Sequence, residues 1–314
     1  MSIATKGSRA RNHGLWTTDG IMLVDKESGP SSFGVVERIK RLIGARKVGH
    51  AGTLDPFATG LLVVLINQGT KLSPFLMSQD KVYRAALRLG IETDTDDVTG
   101  TVTQQREVGP VGERAVEEAL EGFVGTIKQV PPRYSAVHHN GKRAYELARR
   151  GVEFVPRERE VRIDYITIRR IDLPVVWIEV GCSSGTYIRS LASGLGRRLG
   201  TGAHLASLRR MRSGLFHVDM SYTVQQIAGH LGNRALESVI IPLKDAVEDM
   251  WEVEVSSTLA SRIRDGYIPQ RGELSGEHGS MHGPGCYCKA VNGQELVAIL
   301  RESNTGYEVQ RIFT

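Results

Sequence analysis

Residues 47–60 read KVGHAGTLDPFATG and run directly into an apolar hexapeptide, LLVVLI, at 61–66. Glycines in the loop permit positive φ angles or close backbone approach, and Pro56 biases Asp55 away from the α-helical region. The apolar hexapeptide predicts a buried strand. The stretch therefore predicts a stiff loop that presents one carboxylate, Asp55, beside a rigid strand. By itself the pattern also fits an aspartate that only tightens a turn.

Composition limits the class of protein. A chain of 314 residues with 40% hydrophobic content can bury a sizeable core, which favours one large domain and one small domain. The net charge of +5 and recurrent arginine clusters fit either a polyanionic partner or solvated helix faces. Three cysteines are too few for a disulfide framework, and no apolar run reaches the roughly 18 residues of a membrane span. We expect a cytoplasmic protein with a flexible basic arm at residues 1–19.

Hydrophobic periodicity predicts strands and helices on both sides of the loop. Ser31 or Ser32 is expected to cap a helix, a second helix covers 113–123, a third begins near Tyr187, and Thr223 caps a fourth. Residues 175–183 and 161–173 alternate well enough to pair as antiparallel strands, and Leu208 and Leu215 are expected in apolar surroundings. The predicted strands are IMLVDK (21–26), KVYRAALRLG (81–90), VRIDYITIRRIDL (161–173), VVWIEVGCS (175–183) and HLASLRRMRSGLFHVD (204–219).

A small β-rich module is predicted after a boundary near residue 243. WEVEVS (251–256), STLASRIRDG (257–266), ELVAILR (295–301) and YEVQRIF (307–313) predict strand, helix, strand and strand. Between the second and third of these, GEHGSMHGPGCYCKA (276–290) is predicted to be a glycine-rich loop. It contains zinc-ligand types at His278, His282, Cys286 and Cys288, but the C-x-C spacing is irregular, so a loop without metal is favoured. The acidic turn IETDTDDVTG (91–100) lacks the pattern of a calcium loop.

Four separated stretches resemble, in the same order, motifs of the TruB family of RNA pseudouridine synthases. They are GHAGTLDPFATG (49–60), KVYRAALRLG (81–90), YSAVHHNGKRAYELARRG (134–151), and CSSGTYIRS (182–190) with GAHLASLRR (202–210). The resemblance implies an α+β fold: a mixed, mainly antiparallel sheet flanked by helices, with a small C-terminal β-rich PUA-like domain. It implies a catalytic domain at 20–243 with an RNA-binding insertion at about 131–160, and a PUA-like RNA-binding domain at 244–314.

The resemblance also implies roles for individual residues. Asp55 would be the nucleophile, Arg189 its ion-pair partner, and Tyr83 the aromatic residue stacked on the target uracil. Further contacts with the RNA would come from His50, Tyr187, Leu208 and Arg149. Plainer interpretations are a structural loop histidine for His50 and core packing for Tyr187 and Leu208.

By the same resemblance, the chain would isomerise uridine to pseudouridine in the T-arm loop of tRNA, at position 55. A carboxylate that attacks covalently, at C6 of the ring or at C1′, would divide the reaction into easier steps after the base is flipped out. No cofactor, metal, membrane or obligate protein partner is expected, and the protein would act as a monomer. Three alternatives stay open: a tRNA-binding or tRNA-folding module that does not depend on catalysis, a synthase that modifies another RNA, and a hydrolase that releases uracil.

Overall fold

The computed structural model describes residues 16–132, 134, 138–139, 142–143, 157–233, 235–274 and 285–314. Its α-helices are α1 (Ser32–Ile43), α2 (Ser73–Ser78), α3 (Glu113–Glu121), α4 (Ile188–Leu199), α5 (Val224–Gly232) and α6 (Ser257–Arg264). Its strands are β1 (Gly20–Lys26), β2 (Val48–His50), β3 (Thr59–Ile66), β4 (Lys81–Leu89), β5 (Ile91–Thr93), β6 (Val102–Gln105), β7 (Gly125–Gln129), β8 (His138–His139), β9 (Lys142–Arg143), β10 (Arg159–Asp172), β11 (Val175–Cys182), β12 (Ala203–Ser213), β13 (Phe216–His217), β14 (Ile240–Ile241), β15 (Trp251–Glu254), β16 (Tyr287–Asn292), β17 (Glu295–Ser303) and β18 (Gly306–Ile312). Over these described ranges, no helix is both long enough and apolar enough to span a bilayer.

A ten-stranded sheet organises the larger part of the chain. Its strand order is β14–β1–β3–β12–β4–β11–β10–β7, with β2 beside β3 and β13 beside β12. The neighbouring strands are antiparallel except for β3 and β12, which run parallel. The predicted pairing of β10 with β11 is present. The expected α+β fold with a mixed, mainly antiparallel sheet is therefore confirmed.

Helices cover this sheet by packing their apolar sides against it. Ser31 caps α1 by accepting a hydrogen bond from the Gly34 N–H, and the helix ends at Gly44 in the left-handed conformation. Val35 and Ile39 of α1 pack against β1 and β3. Apolar residues of α3 and α4 pack against β4, β11 and β12. The cap and the apolar stripe that the sequence predicts for α1 are thus both present, and the apolar stripe faces the sheet.

The C-terminal region forms a second, four-stranded sheet in the order β15–β16–β17–β18. Leu259 and Ile263 of α6 pack into the core of this sheet. Other apolar residues of the same region, among them Val291 and Phe313, pack into a cluster that contains Leu72 and residues of β1 and β3. The small sheet therefore has a core of its own and a second apolar contact with the large sheet.

Two local predictions are wrong. Leu215 is 48% exposed, because it lies in the tight turn that joins β12 to β13 rather than on a strand. The segment from Tyr287 is not a loop but β16, which pairs in parallel with β15 and antiparallel with β17. The strand, YCKAVN, follows a glycine-rich stretch and shows no apolar alternation, since four consecutive residues in it are buried, among them Cys288 in the core of the small sheet.

Candidate active site

Asp55 lies in the loop between β2 and β3, and side chains from the preceding elements fix this loop. The buried Ser32 hydroxyl accepts a hydrogen bond from the Leu54 N–H at 2.8 Å and donates to the Leu54 carbonyl at 3.0 Å. On the other side of the carboxylate, the Lys26 ammonium donates to the Ala58 carbonyl at 2.6 Å. The backbone on both sides of Asp55 is therefore held before any substrate binds.

Arg189, in the first turn of α4, forms an ion pair with Asp55. Its Nη2 donates to Oδ1 at 3.1 Å, and its Nε lies 3.0 Å from Oδ2 without forming a well-aligned hydrogen bond. The arginine side chain is 5% exposed and the carboxylate side chain 30% exposed. The guanidinium thus forms the floor of the site, and part of the carboxylate remains open to an incoming group.

Asp97 holds the other end of the same guanidinium. Its Oδ2 lies 3.4 Å from Arg189 Nη1, and the residue is 3% exposed. Its Oδ1 accepts hydrogen bonds from the Thr95 hydroxyl and from the Thr99 N–H and hydroxyl at 2.6–2.9 Å. The acidic turn therefore forms the support of Arg189. Sequence reasoning missed this role, although the flanking threonines are a signal of a self-bonded aspartate turn.

The charges around Asp55 act in opposite directions on its ionisation. Burial raises the pKa of Asp55, and the neighbouring Asp97 carboxylate raises it further, whereas Arg189 and Lys26 lower it. Burial also lowers the pKa of Lys26 to about 8, an effect that Asp55 opposes and Arg210 reinforces. Asp55 is thus an unusually basic carboxylate held among cations.

Tyr83 lies half-buried on β4, directly across from Arg210 of β12 in the sheet register. Burial raises the pKa of the Tyr83 phenol, and the charge and hydrogen bond of Arg210 oppose this rise. Arg210 is 1% exposed and donates to the Leu61 carbonyl at 2.7 Å and the Gly52 carbonyl at 3.0 Å.

Sequence reasoning missed three buried charged residues of the site, Lys26, Asp97 and Arg210. They lie far from Asp55 in the sequence, and only the tertiary fold brings them to the site.

The remaining predicted contacts differ in their surroundings. His50 is half-buried, and within the described residues its Nδ1 has no hydrogen-bond partner; burial and Arg210 lower its pKa. The Tyr187 N–H donates a hydrogen bond to the Gln129 side-chain oxygen, and the Gln129 side-chain NH2 donates to the Tyr187 carbonyl. Leu208 is buried in the core cluster that contains Leu54. The roles of these residues in RNA binding stay predictions.

Several sequence predictions concern residues that the structure does not describe. Arg149, His278, His282 and most of the insertion at about 131–160 lie outside the described ranges. Cys286 is exposed and Cys288 is buried. Within the ranges that are described, no group of three or more His, Cys, Asp or Glu residues is arranged to hold a metal ion.

Comparisons with known proteins identify similar chains and a similar fold. Residues 40–188 match the TruB family pseudouridylate synthase N-terminal domain, and residues 189–248 match the tRNA pseudouridylate synthase B C-terminal domain. The tRNA pseudouridine synthase B of Syntrophus aciditrophicus (strain SB) is 45% identical over 83% of this chain and 83% of that protein. The protein of the same name from Syntrophobacter fumaroxidans is 42% identical over 84% of this chain and 88% of its own length.

The similarity extends to solved structures. A crystal structure of a Cbf5-Nop10-Gar1 complex contains a chain that superposes on this one with a TM-score of 0.76 at 26% identity, covering 94% of this chain and 85% of that chain. The archaeal box H/ACA sRNP Nop10-Cbf5 complex gives a TM-score of 0.73 at 25% identity, covering 94% and 86%.

Proposed function

The chain belongs to the TruB family of pseudouridylate synthases, and from this premise we propose that it isomerises uridine to pseudouridine at position 55, in the T-arm loop of tRNA. The observation that carries the proposal is the Asp55 carboxylate, fixed in its loop and paired with the buried Arg189 guanidinium. The reaction breaks the N1–C1′ bond and joins C5 to C1′, so substrate and product are isomers. No oxidant or external energy source is required.

Asp55 is the proposed nucleophile, and Arg189 the group that keeps it ionised and oriented. Because a carboxylate loses solvation in a closed pocket, a fixed guanidinium offsets that loss and leaves the oxygens pointing in one direction. Attack at C6 or at C1′ is compatible with this arrangement. The exposed part of Asp55 is where the flipped uracil would lie, and the base itself would then exclude water from the carboxylate.

Tyr83 is the proposed stacking partner of the target base. An aromatic platform contributes about 1–3 kcal/mol per stacked base and accepts the ring after it has turned. When C5 has bonded to C1′, the C5–H bond must break, and its electron pair restores the C5–C6 double bond. We assign the departing proton to the Tyr83 oxygen, which passes its own hydroxyl proton to solvent as it accepts. Because burial raises the pKa of the Tyr83 phenol, this exchange does not require a free phenolate, and the Arg210 charge beside the oxygen offsets part of the rise.

RNA recognition is proposed to involve His50, Tyr187, Leu208 and Arg149. The target uridine has to leave the RNA stack before Asp55 can reach it. The half-buried His50, whose Nδ1 has no partner among the described residues, is suited to the space that the base leaves. The small C-terminal sheet and the insertion at about 131–160 would hold the RNA backbone by charge and shape. The division into a catalytic domain at 20–243 and a PUA-like domain at 244–314 is part of this proposal.

The protein is proposed to act in the cytoplasm as a monomer, without an obligate protein partner. The test is to incubate the purified chain alone with an unmodified T-arm stem-loop and to map pseudouridine by carbodiimide-blocked primer extension. The expected product is pseudouridine at a single loop uridine. Product at another uridine, or release of free uracil, would contradict the proposal. An RNA that is bound but unchanged would favour a binding module instead.

A further inference from the structure

Arg210 is a buried cation whose partners are neutral. In the part of the chain that the structure describes, its guanidinium contacts carbonyl oxygens and a phenol and forms no ion pair. A buried charge is costly unless its hydrogen bonds are satisfied. Here the N–H groups of the guanidinium face a small set of oxygens. All of those oxygens belong to the proposed reaction site or to β3, the strand that follows the Asp55 loop.

The oxygens bound by Arg210 lie on both sides of Asp55 in the sequence. Nη2 donates to the Gly52 carbonyl at 3.0 Å, and Nη1 lies 3.5 Å from the Thr53 carbonyl, just before the carboxylate. Nε donates to the Leu61 carbonyl at 2.7 Å, just after the loop has entered β3. One rigid, planar group therefore connects the start of the loop to the strand at its end.

The strand that carries Arg210 is also the strand between the two halves of the site. In the sheet, β12 pairs with β3 on one side, where Arg210 lies opposite Gly60, and with β4 on the other, where it lies opposite Tyr83. A Cβ atom at Gly60 would lie 2.3 Å from the Arg210 carbonyl, so only glycine permits this approach. Arg210 is thus placed between the Asp55 loop and Tyr83.

We propose that Arg210 is a positioning residue of the isomerisation, which fixes the Asp55 loop and the Tyr83 hydroxyl relative to each other so that both face the same uracil. This inference rests on the proposed function and goes beyond the Asp55–Arg189 pair. Arg189 sets the direction of the carboxylate, whereas Arg210 sets the distance between the attacking group and the group that receives the C5 proton. A displacement of either group by about 1 Å is expected to slow the reaction on the order of 100-fold.

The test compares Arg210 with its neighbour Arg209, which points to the other face of β12, is partly exposed and forms a two-pronged ion pair with Asp25. Arg210→Lys removes the planar fork and leaves a single basic nitrogen at the end of the side chain, and Arg209→Lys is the matched control. Single-turnover rates are measured on the T-arm stem-loop, together with the RNA dissociation constant and the kinetic isotope effect of deuterium at C5. Circular dichroism and urea denaturation measure folding.

Arg210→Lys is expected to slow the single-turnover reaction by roughly 10- to 100-fold and to leave RNA affinity within about 2-fold. The C5 deuterium isotope effect should rise above the wild-type value, because proton removal becomes the slow step. In a Tyr83→Phe background the same change should slow the reaction by a smaller factor, since the group that it positions is gone. Arg209→Lys should leave the single-turnover rate and the isotope effect at wild-type values.

The proposal is overturned if Arg210→Lys matches Arg209→Lys, if its effect is the same with and without the Tyr83 hydroxyl, or if the rate falls only in proportion to RNA affinity. It is also overturned if Arg210→Lys does not fold, because Arg210 would then serve the core rather than the reaction. If the wild-type chain makes pseudouridine in the same assay, each of these results leaves the proposed function intact. Absence of product from the wild type would instead refute the function itself.

Discussion

Asp55 can attack only as a carboxylate, and its surroundings oppose ionisation. Burial and the Asp97 charge raise the pKa of Asp55 from its ordinary value of 3.8, whereas Arg189 and Lys26 act against the rise. The net shift of the pKa is upward. As the pH is lowered, the reaction rate should therefore begin to fall at a pH above that ordinary value. A basic carboxylate is also a better nucleophile, which gives the raised pKa a chemical use.

Replacing Asp97 separates its two effects on Asp55. Asp97→Asn removes a negative charge near Asp55, so the pKa of Asp55 should fall and the acid limb of the pH–rate profile should move to lower pH. Arg189 loses its second carboxylate, so the single-turnover rate near neutral pH should fall about 10-fold. Single-turnover rates across the acid and neutral pH range measure both changes. Asp94→Asn, at an exposed position in the same turn, is the control. An acid limb that moves to higher pH would contradict the assigned charges.

Asp55→Asn distinguishes an enzyme from an RNA-binding module. The amide has nearly the same shape as the carboxylate but cannot attack, so product formation should fall below detection while RNA affinity stays within about 3-fold. Primer extension measures the product, and filter binding measures the affinity. Asp164→Asn, at an exposed carboxylate paired with Arg162, should leave both unchanged. If the Asp55→Asn variant keeps wild-type product formation, Asp55 is not the nucleophile.

At the scale of elements, the start of α1 contains both the residue that caps the helix and the residue that holds the Asp55 loop. Ser31 caps the helix, and the next residue, Ser32, binds both backbone groups of Leu54. Ser31→Ala should lower the free energy of unfolding by about 1 kcal/mol, because one N–H at the helix start loses its acceptor. Urea denaturation measures the change. Ser28→Ala, at an exposed loop position, should stay within about 0.5 kcal/mol of the wild type, and an equal loss in the two variants would argue against the cap.

Elements with strong local signals could be predicted from the sequence. Apolar runs and caps locate β1, α1, β3, β4 and α5, because burial of one face and satisfaction of helix-end N–H groups are local requirements. The strand β16 has no such signal, because it follows a glycine-rich stretch, lacks apolar alternation and is defined only by its partners β15 and β17. Local pattern thus predicts elements better than it predicts their partners.

The candidate site shows the same limit. Asp55 and Arg189 are 134 residues apart, and a family resemblance, rather than spacing, related them before the fold was known. The motif GAHLASLRR (202–210) includes Arg210 but gives it no role, since a strand arginine is usually solvated and here it is buried between two neighbouring strands and a loop. Charged residues whose partners are backbone carbonyls of distant segments become visible only in three dimensions.

At the scale of the whole molecule, the two sheets share an apolar cluster. Phe313, next to the C-terminus, packs with residues of the small sheet and with Leu72 and Val82 of the larger region. The Arg264 guanidinium donates to the Phe313 carbonyl, and the Phe313 N–H donates to the Val297 carbonyl. A buried contact of this kind should make the two sheets unfold together.

Phe313→Ala is therefore expected to weaken the whole molecule, and not the small sheet alone. The loss of a buried aromatic ring should lower the free energy of unfolding by about 3 kcal/mol, with far-UV circular dichroism and tryptophan fluorescence showing one coincident urea transition. Fluorescence reports both regions, since Trp251 lies in the small sheet and Trp177 in the large one. Phe33→Ala, at an exposed position, should change stability by less than about 0.5 kcal/mol. Two separate transitions in the wild type would show that the shared cluster does not couple the sheets.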